Sequence, residues 1–188
     1  MVSIPHPLAP TVSTWVARFT AAIKASGAVL DLACGSGRHS RYLAELGLQV
    51  EAVDRDAAAL ALLAGVPRVT RRCADLEGGA WPYAGRTFDA IIVTNYLHRP
   101  LFPLLAAALA PGGVLIYETF RLGNESYGKP SNPDFLLRPG ELLDFAKTSW
   151  LEVLAFEDGF TAAPKPAMVQ RLCAIKPPFS PPERGRLE

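Results

Sequence analysis

Residues 28–40 read Ala28-Val29-Leu30-Asp31-Leu32-Ala33-Cys34-Gly35-Ser36-Gly37-Arg38-His39-Ser40, an apolar run that passes through two glycines into polar, helix-forming residues. A run that is apolar at successive positions, not alternate ones, is the mark of a strand covered on both faces, as in the middle of a parallel sheet. Asp31 interrupts it near the carboxyl end, which is where open α/β sheets take their ligands. Gly35 and Gly37 carry no Cβ, so the backbone there can turn tightly and come close to a bound group.

A glycine turn of this kind serves several chemistries, and its neighbours narrow them. A dinucleotide fingerprint asks for Gly or Ala three residues after the second glycine, and that place holds Ser40. A pyrophosphate is served by backbone N–H groups and a positive helix end, whereas the Asp31 carboxylate would repel it and suits an ammonium or sulfonium instead. Nineteen positions beyond Gly35, Asp54 closes a second apolar segment, 49–54, where a carboxylate can accept from both hydroxyls of a ribose. Together these features point to an adenosine whose ribose bears no phosphate.

The run 29–37 resembles the first motif of the Rossmann-like (class I) S-adenosylmethionine-dependent methyltransferases, and Val53-Asp54 resembles the second. Asp75, at the end of 69–75, resembles the third; 88–95 and 109–116 resemble the fourth strand and the turn into the fifth. The match runs in order from about residue 28 to residue 176. The resemblance implies an α/β fold, a three-layer αβα sandwich on a mostly parallel seven-stranded sheet with an antiparallel last strand. It also implies S-adenosyl-L-methionine as cofactor. Asp31, Gly35 and Gly37 would then hold the methionine end, Asp54 the ribose, Asp75 and Leu76 the adenine, and Asn95 and Tyr96 the floor beneath the sulfonium, with Ala33 and Arg55 as further contacts. The motif wording is also similar to that of small bacterial methyltransferases linked to tellurite resistance, although no residue marks a metalloid site.

Composition bounds the rest. The chain has 188 residues, 49% hydrophobic and 20% charged, which suits one domain over residues 1–176. Nineteen basic against 18 acidic side chains leave a formal charge of +1, too little to steer nucleic acid or an anionic membrane, so neither is expected as partner. Cys34, Cys73 and Cys173 are odd in number, form no C-x-x-C and fall in or beside strands expected to be buried, which argues against disulfides and zinc. His6, His39 and His98 lack ligand spacing, so no metal is expected. The first eight residues lack the charge and apolar run of a secretion signal, and no apolar segment reaches the roughly 20 residues of a membrane span. A cytoplasmic protein is expected; its oligomeric state stays open.

In chain order, Val12, Trp15, Val16, Phe19 and Ile23 predict a covering helix over 11–26, stopped by Ser26-Gly27. In the resembled family such a leading helix often closes over the cofactor. A helix is predicted over 38–46, opened by His39, and another from an Asp56 cap to Gly65. In the loop 75–83, Trp81 or Tyr83 either flanks the adenine or packs the loop down. Pro100 suits the start of the next helix; a strand follows over 114–120, a helix over 139–147, and two strands over 150–158 and 167–176. The proline-rich tail, 177–188, reads as extended.

Residues 121–138 form a long irregular segment too rich in Tyr127, Phe135, Leu136 and Leu137 for disorder, and suit a lid over a substrate. Methyl transfer from a sulfonium is an in-line displacement that depends mainly on positioning. His98 or Glu118, with Tyr96 beside them, is placed to take a proton if the nucleophile carries one. Glu118 has an equally plain structural reading, a salt bridge to Arg121 or Arg99. Arg99, Arg121, Tyr127, Lys129 and Arg138 near the expected mouth suit a small anionic substrate. Asn95 is followed by Tyr96-Leu97-His98 and not by two prolines, unlike the family members that methylate amino groups of nucleic-acid bases. Two other readings stand beside this one: a non-catalytic module that binds S-adenosylmethionine or S-adenosylhomocysteine, and a nicotinamide-dependent oxidoreductase, which shares the glycine turn and Asp54 but is poorly served by Asp31.

Overall fold

Strand β1, Ala28–Leu32, is the hub of the sheet: it pairs in parallel with β2, Gln49–Asp54, on one side and with β4, Phe88–Thr94, on the other. In the computed structural model, which describes residues 11–178, β3 (Val69–Cys73), β5 (Leu109–Phe120), β6 (Glu152–Thr161) and β7 (Ala167–Ile175) complete a seven-stranded sheet of order β3-β2-β1-β4-β5-β7-β6. All neighbouring pairs from β3 to β5 are parallel, and β7 enters antiparallel between β5 and β6. The expected α/β sheet, mostly parallel with an antiparallel last strand, is what the chain forms.

Both faces of the sheet are covered, as the unbroken apolar reading of β1 requires. Leu30, Leu32, Ile91, Val93 and Leu115 form one face, under α4 (Phe102–Ala108) and α5 (Glu141–Thr148). Val29, Val50, Ile92 and Ile116 form the other, under α1 (Thr14–Phe19) and α2 (Arg38–Glu45). Each such leucine or isoleucine, fully buried, contributes about 1.5–3 kcal/mol. A smaller cluster seats Leu60 of α3 (Ala57–Ala61) and Leu63 on Ala52. Strand order reverses between β1 and β4, and a crevice opens at the carboxyl ends there.

Several boundaries differ from the sequence reading. The covering helix is short: Ser13 caps it through Trp15 and Val16 N–H, and after Phe19 it tightens into a 3-10 turn, Thr20–Ala22. Its anchor is Trp15, which donates its indole N–H to the Leu172 carbonyl at 3.2 Å. Strand β5 begins at Leu109, not at residue 114, because Leu109 already pairs with Phe88, and a register shift then brings Val114 opposite Ala90. Helix α5 starts at Glu141, since Gly140 is left-handed (φ 73°) and ends the preceding turn. Cys73 is exposed, because β3 is an edge strand with only Val69 partly covered. The segment 121–138 is ordered by two 3-10 turns, Asn124–Ser126 and Pro133–Phe135, and by Leu136 and Leu137, which are buried. Most of the proline-rich tail and the first ten residues lie outside the described residues.

Candidate functional site

The crevice is built by two strand ends that leave in unusual backbone. Ala33 after β1 and Asn95 after β4 are both left-handed, at φ 52° and 55°, a region that costs a residue with a Cβ roughly 1–2 kcal/mol. Below Ala33 the glycine turn is fixed by backbone bonds, Cys34 N–H to the Val53 carbonyl and Gly37 N–H to the Cys34 carbonyl, each 3.0 Å. Asp54 locks it: one carboxylate oxygen accepts the Gly35 N–H at 2.8 Å and the other the Asp56 N–H at 2.9 Å. A carboxylate has about four lone-pair directions, so Asp54 retains capacity for ligand hydroxyls. A Cβ on Gly35 would meet nothing within 4 Å, so the turn is open above that residue.

Ala33, Asp54 and Asn95 are on the wall of a cleft of about 300 Å³. Its lining comes from Ala33, Asp54 and Arg55 after β1 and β2, from Asp75, Leu76 and Glu77 after β3, from Asn95 and Tyr96 after β4, from Thr119 and Phe120 of β5, and from Phe135 of the 121–138 segment. The loop after β3 wraps its own acid: Asp75 accepts the Glu77 N–H at 3.0 Å, and the Glu77 and Gly78 N–H groups hold its carboxyl below the usual carboxylate range. Cβ atoms at Gly78 and Gly79 would fall 2.8 and 2.6 Å from Asp75 oxygens, so this wrapping needs both glycines. The Tyr96 hydroxyl is buried with no hydrogen-bond partner, and burial pushes its pKa well up. An open glycine turn, two flanking acids and an orphaned hydroxyl fit an adenosyl ligand with polar groups along its length.

The three residues expected at the methionine end, Asp31, Gly35 and Gly37, line neither cavity: Gly35 is at the open turn, and the other two pack inward. Asp31 is 1% exposed and lines neither cavity; it accepts the Ser40 hydroxyl at 2.5 Å, and burial raises its pKa to about 6. Gly37 is left-handed (φ 76°), and a Cβ there would lie 2.4 Å from the Leu63 methyls, so packing of the segment after α3 accounts for this glycine. Tyr83 is buried edge-on against Phe88 with its hydroxyl 3.4 Å from Glu51, and Trp81 packs on Tyr83; neither lines the cleft. His98 precedes the Arg99–Leu101 turn and is on neither cavity wall.

A second cavity, of about 770 Å³, adjoins the first across Asn95 and Phe120, which line both. Its sides are the 11–14 segment, Tyr127 and Lys129 of the 121–138 segment, and residues 163–166 between β6 and β7. Its floor is Glu118 and Arg171, which the β5–β7 register places opposite each other. The Arg171 Nε donates to Glu118 Oε2 at 2.5 Å and one of its Nη atoms to Glu157 at 2.9 Å. Glu118 therefore pairs with Arg171, not with Arg121 or Arg99.

Of the expected substrate residues, Tyr127 and Lys129 face this cavity and three arginines do not. Arg121 is engaged by Asp158 at 2.6 Å. Arg138 is exposed beside Glu141. Arg99 donates to Glu141 at 2.6 and 3.0 Å and to the Asp134 and Leu136 carbonyls at 2.9 and 2.8 Å, which pins the 121–138 segment to α5. Sequence reading missed Arg38, Lys165 and Arg171 on the cavity wall. It also missed the part His39 plays: this buried imidazole accepts the Ser13 N–H at 3.2 Å on Nε2, lies 3.4 Å from the Thr94 hydroxyl on Nδ1, and has its pKa lowered to about 3, chiefly by burial. Its spacing of one helical turn from Leu43 was the available sign that it faces inward. Among the described residues no helix is long and apolar enough to cross a membrane.

Residues 29–113 match a family model described as a methyltransferase domain. A protein-L-isoaspartate O-methyltransferase from Chlorobaculum tepidum is 35% identical over 130 residues, 66% of this chain and 57% of that protein. Among solved structures, TehB from Haemophilus influenzae superposes with a TM-score of 0.72 at 20% identity, over 88% of this chain and 62% of that one. An S-adenosylmethionine-dependent methyltransferase from Mesorhizobium loti superposes with a TM-score of 0.67 at 20% identity, over 85% and 96%. The chain thus spans 57% and 62% of the lengths of the first two. With the glycine turn, the strand order and the antiparallel β7 in place, residues 29–113 match a methyltransferase domain and the described chain has the fold of these solved structures.

Proposed function

We propose that this protein transfers a methyl group from S-adenosylmethionine to a small, anionic acceptor. The observation that carries the reading is the pair of adjoining cavities: one has the walls an adenosyl group needs, and the other is a larger chamber that meets it at Asn95 and Phe120. Bound in the smaller cleft, the cofactor supplies a methyl group activated by the sulfonium. Asp54 and Arg55 would hold the ribose, Asp75, Leu76 and Glu77 the adenine, and Ala33, Gly35, Asn95 and Tyr96 the methionine end. Asp31 and Gly37 support that end from behind the wall, through Ser40 and Leu63 respectively.

The protein's own contribution is positioning. Asn95 and Phe120 sit where the two chambers meet and set the line along which donor and acceptor approach. The 121–138 segment acts as a lid, with Phe135 over the smaller cleft and Tyr127 and Lys129 over the larger. Residues 1–176 act as one domain, with the 11–26 segment as its cover. Lys129 supports an anionic acceptor, joined on the wall by Arg38, Lys165 and Arg171 against one acid, Glu118. A cytoplasmic setting suits the free cysteines, of which Cys73 is exposed.

Two measurements test this. A thermal unfolding scan with S-adenosylmethionine, S-adenosylhomocysteine or NADH at about one hundred times the dissociation constant should show about 2.7 kcal/mol of stabilisation with the adenosyl ligands. A response to NADH alone overturns the reading in favour of an oxidoreductase. Titration calorimetry on Asp54→Ala should show cofactor affinity weakened by about 100-fold, because the variant loses both the ribose partner and the lock on the glycine turn. Affinity within a factor of three of the parent refutes the ribose assignment.

A further inference from the structure

Resting on the methyl-transfer reading, we infer that the acceptor has two ends. One is a hydroxyl or amine nucleophile that gives its proton to Glu118; the other is a separate acid group held by Lys129 and Lys165. The first half comes from Glu118, whose side chain is 13% exposed on the floor of the larger cavity. Arg171 occupies Oε2, and among the described residues no hydrogen bond reaches Oε1. With one oxygen held by Arg171, the carboxylate keeps a second acceptor that a donor entering the cavity can use. A bare anion would be repelled at that spot.

The second half comes from the cations. Lys129 on the 121–138 segment and Lys165 on the β6–β7 connection reach the same cavity from two sides, and among the described residues neither makes an ion pair. Arg171, by contrast, is held by Glu118 and Glu157. The cavity therefore has an acceptor atom on its floor and uncommitted positive charge on its sides. Phe120, Tyr127 and Val169 supply apolar wall between them, which suits a flat carbon frame joining the two ends.

In the transfer step the lone pair of the acceptor's oxygen or nitrogen forms the bond to the methyl carbon, and the sulfur–carbon bond breaks with its electron pair left on sulfur as a neutral thioether. The proton from the nucleophile passes to Glu118 Oε1. Arg171 is a positioning residue, since it holds Glu118 by Oε2.

The test is a panel of defined probes with the full chain, read as S-adenosylhomocysteine released and as product mass. The probes are 4-hydroxybenzoate and 4-aminobenzoate, their neutral amides 4-hydroxybenzamide and 4-aminobenzamide, and two anions without such a nucleophile, benzoate and phenylacetate. The acids should show kcat/KM at least about tenfold above their amides, with methylation on the hydroxyl or amine. Lys129→Met/Lys165→Met should erase that ratio through KM while cofactor affinity stays unchanged. Glu118→Gln, which keeps an oxygen for Arg171, should slow the hydroxyl probe by about 100-fold near neutral pH and recover as the pH approaches the ionisation of the phenol. Equal rates on acids and amides, a faster rate on benzoate or phenylacetate, a Glu118→Gln defect that persists at high pH, or no turnover of any probe overturns the inference. Failure of the parent protein to bind S-adenosylmethionine in calorimetry falls instead on the methyl-transfer reading itself.

Discussion

Replacing Asp31 by asparagine should stabilise the protein near neutral pH and leave it nearly unchanged near pH 4. Asp31 is fully buried, and burial lifts its pKa from 3.8 to about 6 against the opposing hydrogen bonds from Ser40. Each unit is worth about 1.36 kcal/mol, so some two units make about 3 kcal/mol. The sign follows from which state binds the proton. Between about pH 4 and pH 6 the unfolded chain has ionised at this position while the folded chain keeps its proton, so stability falls as pH rises through that window and is level above it. Asparagine has an oxygen for the Ser40 hydroxyl and no charge to bury, so it lacks this loss. The stability of Asp31→Asn minus that of the parent should therefore grow by about 3 kcal/mol from pH 4 to pH 7.5, a midpoint difference on the order of 6–12 °C for a chain of this length. Denaturant unfolding of both proteins at several pH values measures it, and subtraction removes the titration of every other carboxylate. A difference that does not vary with pH refutes the reasoning, and so does a variant less stable than its parent at pH 7.5, since that requires a charged, paired Asp31. Cofactor affinity supplies a second reading: from behind the cavity wall Asp31→Asn changes it less than about threefold, whereas a direct contact to an ammonium would change it far more.

Two further outcomes follow from packing and from the lid. Gly37→Ala combines a left-handed φ with a Cβ 2.4 Å from the Leu63 methyls and should cost about 2–4 kcal/mol in denaturant unfolding; adding Leu63→Ala should recover part of that, and strict additivity of the two would refute the contact. Arg99→Met removes four hydrogen bonds that join the 121–138 segment to α5, so limited proteolysis should cut that segment faster well before global unfolding, with a loss of about 1–3 kcal/mol in stability; unchanged cleavage would show that Leu136 and Leu137 hold the segment alone.

The strands and the crevice were legible in the sequence because they depend on local patterns: an apolar run buried on both faces, then glycines, then an acid at the end of the next strand. What each cation does was not legible, because pairing is non-local. Arg99 and Arg121 follow strands near the crevice and Arg138 comes just before α5, yet Glu141 and Asp158, which settle Arg99 and Arg121, arrive 42 and 37 residues later in the chain. Arg171 reaches the cavity only because β7 turns back antiparallel beside β5, a register that puts it across from Glu118. Gly37 shows a subtler limit: the glycine was correctly singled out, but its reason is a leucine 26 positions on, and a turn motif does not encode that contact. The covering helix was read too long because apolar residues keep helical spacing through Ile23, while the chain after Phe19 meets that spacing with a 3-10 turn and an extended link.

Ala33 and Asn95, the two left-handed residues that end β1 and β4, bear on how this chain can drift over generations. Only glycine, asparagine and aspartate enter that backbone region with ease, and branched side chains are shut out. The set of residues accepted at these two places is thus narrowed by the backbone whatever molecule occupies the crevice. In any lineage descended from this chain, both positions should change slowly even where the acceptor has been exchanged for another. Invariance there would record the bend of the main chain, and the history of the substrate should be sought in the cavity wall around Lys129 and Lys165.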